Sequence, residues 1–191
     1  GHSNFTFNTA ATLAELPTEV VSNRLSGETE ATPLGTYSYL SWGRWNDGAG
    51  VADTIYTNSP WIAGSLTDGA NIPVTGSASY NGKVLGKLDE SGAVSAIGGT
   101  SALTADFAAR SLTGTFTMTK NDAAWTNAAV TAGWGAGKNS INGTLAADNN
   151  MTGAVNGNFF GPAVNQVGGS WNLQNSGGTD RAAGVFTGNK Q

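Results

Sequence analysis

Gly153-Ala154-Val155-Asn156-Gly157-Asn158-Phe159-Phe160-Gly161-Pro162-Ala163-Val164-Asn165-Gln166-Val167-Gly168-Gly169-Ser170-Trp171 is the stretch whose reading decides the fold. Apolar and aromatic residues recur in short runs broken by glycine and by Gly161-Pro162, which is how a strand, a turn and a return strand are written. Trp171 and Leu173 share a parity on the return strand, and Val185-Phe186 lies in a terminal one.

The same grammar extends backwards. Leu103-Thr104-Ala105-Asp106-Phe107 and Leu112-Thr113-Gly114-Thr115-Phe116-Thr117-Met118 read as two strands joined around Arg110-Ser111. In the second, Leu112, Phe116 and Met118 fall on one parity and the three threonines on the other, predicting an apolar inner face and a threonine outer face. Asp106 and Arg110 are expected to fasten the intervening turn as an ion pair. Further upstream, Ile72 to Tyr80 runs to Asn81-Gly82, a hairpin dipeptide, and Lys83 to Leu88 returns. Gly92 and Gly98-Gly99 punctuate the next connection. Ala124-Trp125, Val130 to Trp134 and Ile141 to Leu145 supply the remaining strand signals.

Helices have little room, because glycine interrupts nearly every ten-residue window at a cost of about 1 kcal/mol each inside a helix. A closing sheet uses the same glycines at bends and bulges. The expectation is an all-β fold: about eight antiparallel strands in an up-and-down barrel, preceded by an N-terminal extension with one to three short strands. The interior is expected to be filled by Phe, Trp, Leu and Val, with an open ligand cavity as the alternative. The polar outer faces are wrong for lipid contact.

Composition narrows function mainly by exclusion. Charged residues make up 12% of the 191, and glycine accounts for 28 positions, roughly twice its average usage. A net charge of -4 and nine scattered Lys and Arg leave no basic face for nucleic acid. Cysteine is absent, which removes thiol chemistry and the usual structural zinc sites. The one histidine, His2, sits in Gly1-His2-Ser3, which reads as a tag remnant, so histidine triads and histidine metal clusters are excluded. Tyr80, Met118 and Met151 remain as haem ligands in principle, with a core role as the plainer reading. Gly133-Trp134-Gly135-Ala136-Gly137-Lys138 fails as a phosphate loop, since Asn139 stands where Ser or Thr is needed. No run of apolar residues reaches transmembrane length.

The chain divides into a weakly structured lead-in over 1–35, an aromatic-rich strand and loop extension packed on the barrel over 36–71, and the barrel over 72–191. In the lead-in, Thr9 to Leu16 has the pattern of one or two helical turns ended by Pro17. In the extension, Tyr37-Ser38-Tyr39-Leu40-Ser41 alternates as a strand does, and Trp42 and Trp45 flank Gly43 and Arg44. Tyr39, Trp42, Arg44, Trp45 and Trp61 are the candidate partner-binding residues. Exposure of these aromatics favours recognition, and their burial favours a purely structural role.

Several segments together carry a family resemblance. Pro73 to Gly82, Leu103 to Phe107 with Leu112 to Phe116, Gly157 to Ala163 with Val167 to Trp171, and Ala183 to Phe186 with Lys190 resemble the C-terminal barrel of the transferrin-binding protein B family of Gram-negative surface lipoproteins. The resemblance covers residues 72 to 190. It implies an eight-stranded filled scaffold found in outer-membrane lipoproteins and secreted relatives, whose members bind host transferrin, complement regulators, haemoglobin or haem. It carries no contact residue across, because the family's contacts lie in variable loops or a handle domain without a match here. The expectation is a non-enzymatic cell-surface or secreted binding module, monomeric and without a cofactor, whose partner is another protein. A lipid anchor or larger parent chain outside these residues is compatible with it. A structural barrel of a larger surface protein, or a haem or small-ligand carrier without histidine ligation, is the alternative.

Overall fold

The computed structural model describes residues 37–44 and 60–191. Two short strands, β1 (Leu40–Arg44) and β2 (Pro60–Gly64), form an antiparallel ribbon. One 3₁₀ turn, Gly69–Asn71, is capped by the Asp68 carboxylate accepting from the Ala70 N–H and leads into the barrel. Eight strands then follow: β3 (Ser77–Glu90), β4 (Ala93–Asp106), β5 (Ser111–Lys120), β6 (Ala123–Gly133), β7 (Ser140–Ala147), β8 (Thr152–Phe160), β9 (Gln166–Gln174) and β10 (Asp180–Lys190). Each pairs antiparallel with its sequence neighbour, and β10 closes on β3, so the expected up-and-down barrel is what forms. Thr9 to Leu16 lies outside the described residues.

The period-two reading holds strand by strand. Leu112, Phe116 and Met118 point inward and are buried, while Thr113, Thr115 and Thr117 are exposed. Tyr80, Phe116, Phe159, Trp171 and Phe186 are the largest fully buried side chains of the interior. Near one end, Phe159 sits edge-on to Trp134 at 5.0 Å between ring centroids, with Tyr80 and Phe107 each at 6.0 Å. Tyr80, Met118 and Met151 are all core residues, and the Tyr80 hydroxyl donates to the Val164 carbonyl at 2.8 Å.

Three local expectations fail. Asn81-Gly82 is no turn: β3 runs straight through it, and the chain reverses at Ser91 and Gly92, both with positive φ. At Gly82 the strand passes so close to β10 that a Cβ would lie 2.1 Å from the Thr187 carbonyl oxygen, so close approach, and not a reversal, uses this glycine. The connection expected around Gly98-Gly99 is the interior of β4. Asp106 does fasten its turn, but by accepting from the Ala108 and Ala109 N–H groups at 2.9 and 3.0 Å, with no ion pair to Arg110.

Burial raises the Tyr37 and Tyr80 phenols above the ordinary value of 10.0, with a hydrogen bond to Thr187 partly opposing the shift at Tyr37. Below about pH 10 both are neutral in folded and unfolded chains, and their linkage contribution is flat. Above it the unfolded chain loses protons that the folded chain keeps, so stability falls as pH rises. Alkaline unfolding is expected to coincide with the share of the tyrosinate absorbance change at 295 nm that Tyr37→Phe and Tyr80→Phe each remove. If that share appeared well before unfolding, the burial of these two phenols would be contradicted.

Candidate functional site

The barrel has a second apolar surface, on its outside. Leu85 on β3, Val185 on β10 and Phe160 on β8 have the outward parity of their strands yet are buried, because Tyr37, Leu40 and Trp42 pack over them. Tyr39 and Ile62 complete this cluster. Alternation explains the ribbon's geometry: Leu40 and Trp42 share a parity, and Ile62 lies directly opposite Trp42. Burying a side chain such as Leu40 contributes about 1.5–3 kcal/mol.

Polar groups fix the register of this docking. The Gln166 side-chain oxygen accepts from the Tyr39 and Leu40 backbone N–H groups at 3.0 and 3.1 Å, and its amide nitrogen donates to Asn189 Oδ1 at 2.8 Å. Tyr37 Oη and Thr187 Oγ1 share a 2.5 Å hydrogen bond. The chain after β2 is tied down as well: the Ser65 N–H donates to the Tyr39 carbonyl, Thr67 N–H to Phe159 O, and Asn139 Nδ2 to Thr67 O. At Gly168 on β9, a Cβ would stand in ordinary contact, 3.4 Å, with both Ile62 Cδ1 and Leu40 Cδ2, so the ribbon's apolar side chains lie directly over this backbone.

Gln166→Leu removes the acceptor for the buried Leu40 N–H, at about 1–3 kcal/mol when unsatisfied, and for the part-buried Tyr39 N–H. Hydrogen exchange at the Tyr39 and Leu40 amides is therefore expected to accelerate by about tenfold or more, with barrel amides unchanged. Unchanged exchange at both positions would show that the glutamine is not what holds the ribbon.

The five candidate binding residues separate in the structure. Trp42 is 4% exposed and belongs to the docking cluster. Tyr39 and Trp61 are half-buried at the ribbon's margin. Arg44 ends β1, paired with Pro60, and its side chain lies outside the described residues, as does Trp45. Sequence reading missed Tyr37, Gln166 and Thr187 as docking residues. Parity offered one signal: Gln166, Gly168 and Ser170 oppose the inward Val167 and Trp171 on β9.

Beside the ribbon runs a groove of about 450 Å³. Pro60, Trp61 and Ile62 form one wall, and the outer faces of β7, β8 and β9 form the floor. Two ranks of residues, polar except at Gly168, cross that floor in register: Asn142, Asn156 and Ser170, then Ser140, Asn158 and Gly168. Among the described residues, no group of three or more His, Cys, Asp or Glu side chains comes together to hold a metal, and no helix is long and apolar enough to cross a membrane.

Comparison with known proteins places this architecture. The sequence model of a family described as the C-lobe and N-lobe beta barrels of Tf-binding protein B matches residues 72–190. No curated protein matches the chain. Among solved structures, a mutant of the vaccine antigen transferrin-binding protein B from Haemophilus parasuis Hp5 is similar over 81% of this chain and 33% of its own, at 20% identity and a TM-score of 0.63. The isotype 1 transferrin-binding protein B from serogroup B Neisseria meningitidis is similar over 86% of this chain and 35% of its own, at 17% identity and a TM-score of 0.62. Intact Ap-TbpB, with N and C lobes, gives 18% identity and a TM-score of 0.63 over 81% and 34%. The chain thus spans about a third of the length of each of these structures. It belongs to the family of C-lobe and N-lobe beta barrels of Tf-binding protein B.

Proposed function

We propose that this transferrin-binding protein B-like barrel is a non-enzymatic binding module, displayed at the cell surface or secreted, which meets a protein partner through its ribbon and the adjoining loops. The observation that carries the reading is the placement of the ribbon. A filled, closed barrel has no edge strand left for pairing and keeps its surface in one arrangement, which lowers the ordering cost of binding. On its outside the ribbon is clamped by an apolar cluster and by Gln166, leaving Tyr39 and Trp61 partly accessible at its margin. Aromatic side chains held this way are the residue types that dominate binding energy in protein interfaces. The related structures carry the name of a protein ligand, transferrin, and that supports a protein partner here without naming it.

The burial of Trp42 favours one other reading, a barrel whose ribbon serves only to cover the outer apolar patch. The aromatic-filled interior gives less support to a haem or small-ligand carrier.

The two main readings part in one experiment. The immobilised chain is exposed to serum beside a Tyr39→Ala, Trp61→Ala double variant of matched melting temperature. Binding predicts a protein retained by the native chain and lost with the variant. Nothing retained, or retention indifferent to both substitutions, leaves the covering role.

A further inference from the structure

We propose that the groove between β2 and the outer faces of β7, β8 and β9 is a binding subsite for a neutral carbohydrate chain. Its size, about 450 Å³, lies within the range of small-ligand pockets, roughly 300–1,000 Å³. The chemistry of its lining selects the ligand class. None of its lining residues is Lys, Arg, Asp or Glu, so neither an anion nor a cation meets a countercharge. A wholly apolar ligand would bury the Asn156 amide and the Ser170 hydroxyl without partners, at the cost of their desolvation.

A sugar chain fits both surfaces at once. Each pyranose offers hydroxyls that donate and accept, and a C–H face that packs on apolar or aromatic surface. The carboxamides of Asn142 and Asn156 and the hydroxyl of Ser170 match the first requirement, since each both donates and accepts. They stand opposite one another on three adjacent strands, repeating at about 4.8 Å. Asn156 and Ser170 are exposed and make no side-chain hydrogen bond within the described residues, so both are available to a ligand. The apolar wall, Trp61 and Ile62 with Phe160 at its foot, meets the second requirement. Gly168, on the outward face of β9, keeps the floor low beside Asn158.

An extended peptide is the competing occupant. It would pair through its backbone along β2 and seat alternate side chains in pockets. Pro60 supplies no N–H for such a ladder. The carbohydrate reading does not rest on the protein-partner proposal, because Asn156 and Ser170 belong to the barrel wall and not to the ribbon.

The test titrates the 191-residue chain with triacetylchitotriose and with maltotriose, following tryptophan fluorescence and heat. The anionic trisaccharide 3′-sialyllactose and an extended apolar hexapeptide serve as counter-ligands. Saturable binding of at least one neutral trisaccharide is expected, in preference to both counter-ligands. Asn156→Leu combined with Ser170→Ala is expected to weaken it by about tenfold or more through the lost hydrogen bonds. Both positions are exposed, so the melting temperature stays unchanged and a loss of binding is not a loss of fold. The proposal is overturned if neither neutral sugar binds, if the double variant binds as well as the native chain, or if the anionic sugar or the peptide is preferred.

Discussion

Trp171→Ala is expected to lower the unfolding free energy by about 3–5 kcal/mol, the range for deleting a fully buried aromatic. For a chain of this length that corresponds to a melting temperature lower by roughly 6–20 °C. The size of the effect follows from how the indole is held. Gly184 lies opposite Gly86 on one side and opposite Trp171 on the other, so two residues without side chains flank the ring's seat. A Cβ at Gly86 would lie 2.6 Å from the indole Cζ2 and 2.4 Å from the Ala183 carbonyl oxygen. The Trp171 Nε1–H donates to the Val185 carbonyl at 3.1 Å. Alanine leaves a cavity that the closed wall cannot collapse around, and an acceptor without its donor. Gly86→Ala tests the same notch from the opposite side, by overpacking, at about 1–3 kcal/mol. Thermal and urea unfolding of both variants checks the pair. If Gly86→Ala were as stable as the native chain, the ring would not occupy this seat.

The second large effect separates two neighbours. Phe159 and Phe160 are identical and adjacent, but opposite parities send them to different cores. Phe159 points inward, is fully buried and contacts the rings of Tyr80, Phe107 and Trp134. Phe160 points outward beneath the ribbon with Leu85 and Val185. Phe159→Ala is expected to cost about 3–5 kcal/mol of global stability. Phe160→Ala is expected to cost a comparable amount locally, as an opening of the ribbon that need not unfold the barrel. Hydrogen exchange discriminates them. The first variant accelerates exchange across β3 to β10, and the second accelerates it mainly in 37–44 and 60–67. Equal, global destabilisation by both would mean that ribbon and barrel form one cooperative core.

Those two phenylalanines also mark how far the sequence could be read. Alternation is a local signal, and it placed Leu112, Phe116, Met118 and Trp171 inside and the threonines of β5 outside. Turn chemistry is local too, but Asn81-Gly82 answers to something distant: the backbone of Thr187, more than one hundred residues later, whose close passage requires a glycine there. Gly99, expected with Gly98 in a connection, serves inside β4 for the same kind of reason, since a Cβ there would lie 2.1 Å from the Thr117 carbonyl oxygen. The aromatic cluster around Tyr39 and Trp42 was visible as a cluster, while its role in docking was not. Its partners Leu85, Phe160 and Val185 become a patch only when the barrel closes, and Gln166 is separated from Leu40 by 126 residues. The Asn and Ser ranks of the groove depend on strand register, which no single segment states.

Family membership accounts for the barrel, and the functional reading rests on what is attached to the outside of it. Hydrogen exchange of the chain, measured alone and with the protein it retains from serum, tests that reading most directly. The expected result is new protection in 37–44 and 60–66 and at the adjoining β8–β9 loop, with the exposed threonine face of β4 to β6 unchanged. Protection centred on β4 to β6, or the absence of any retained protein, would contradict a contact surface built on the ribbon.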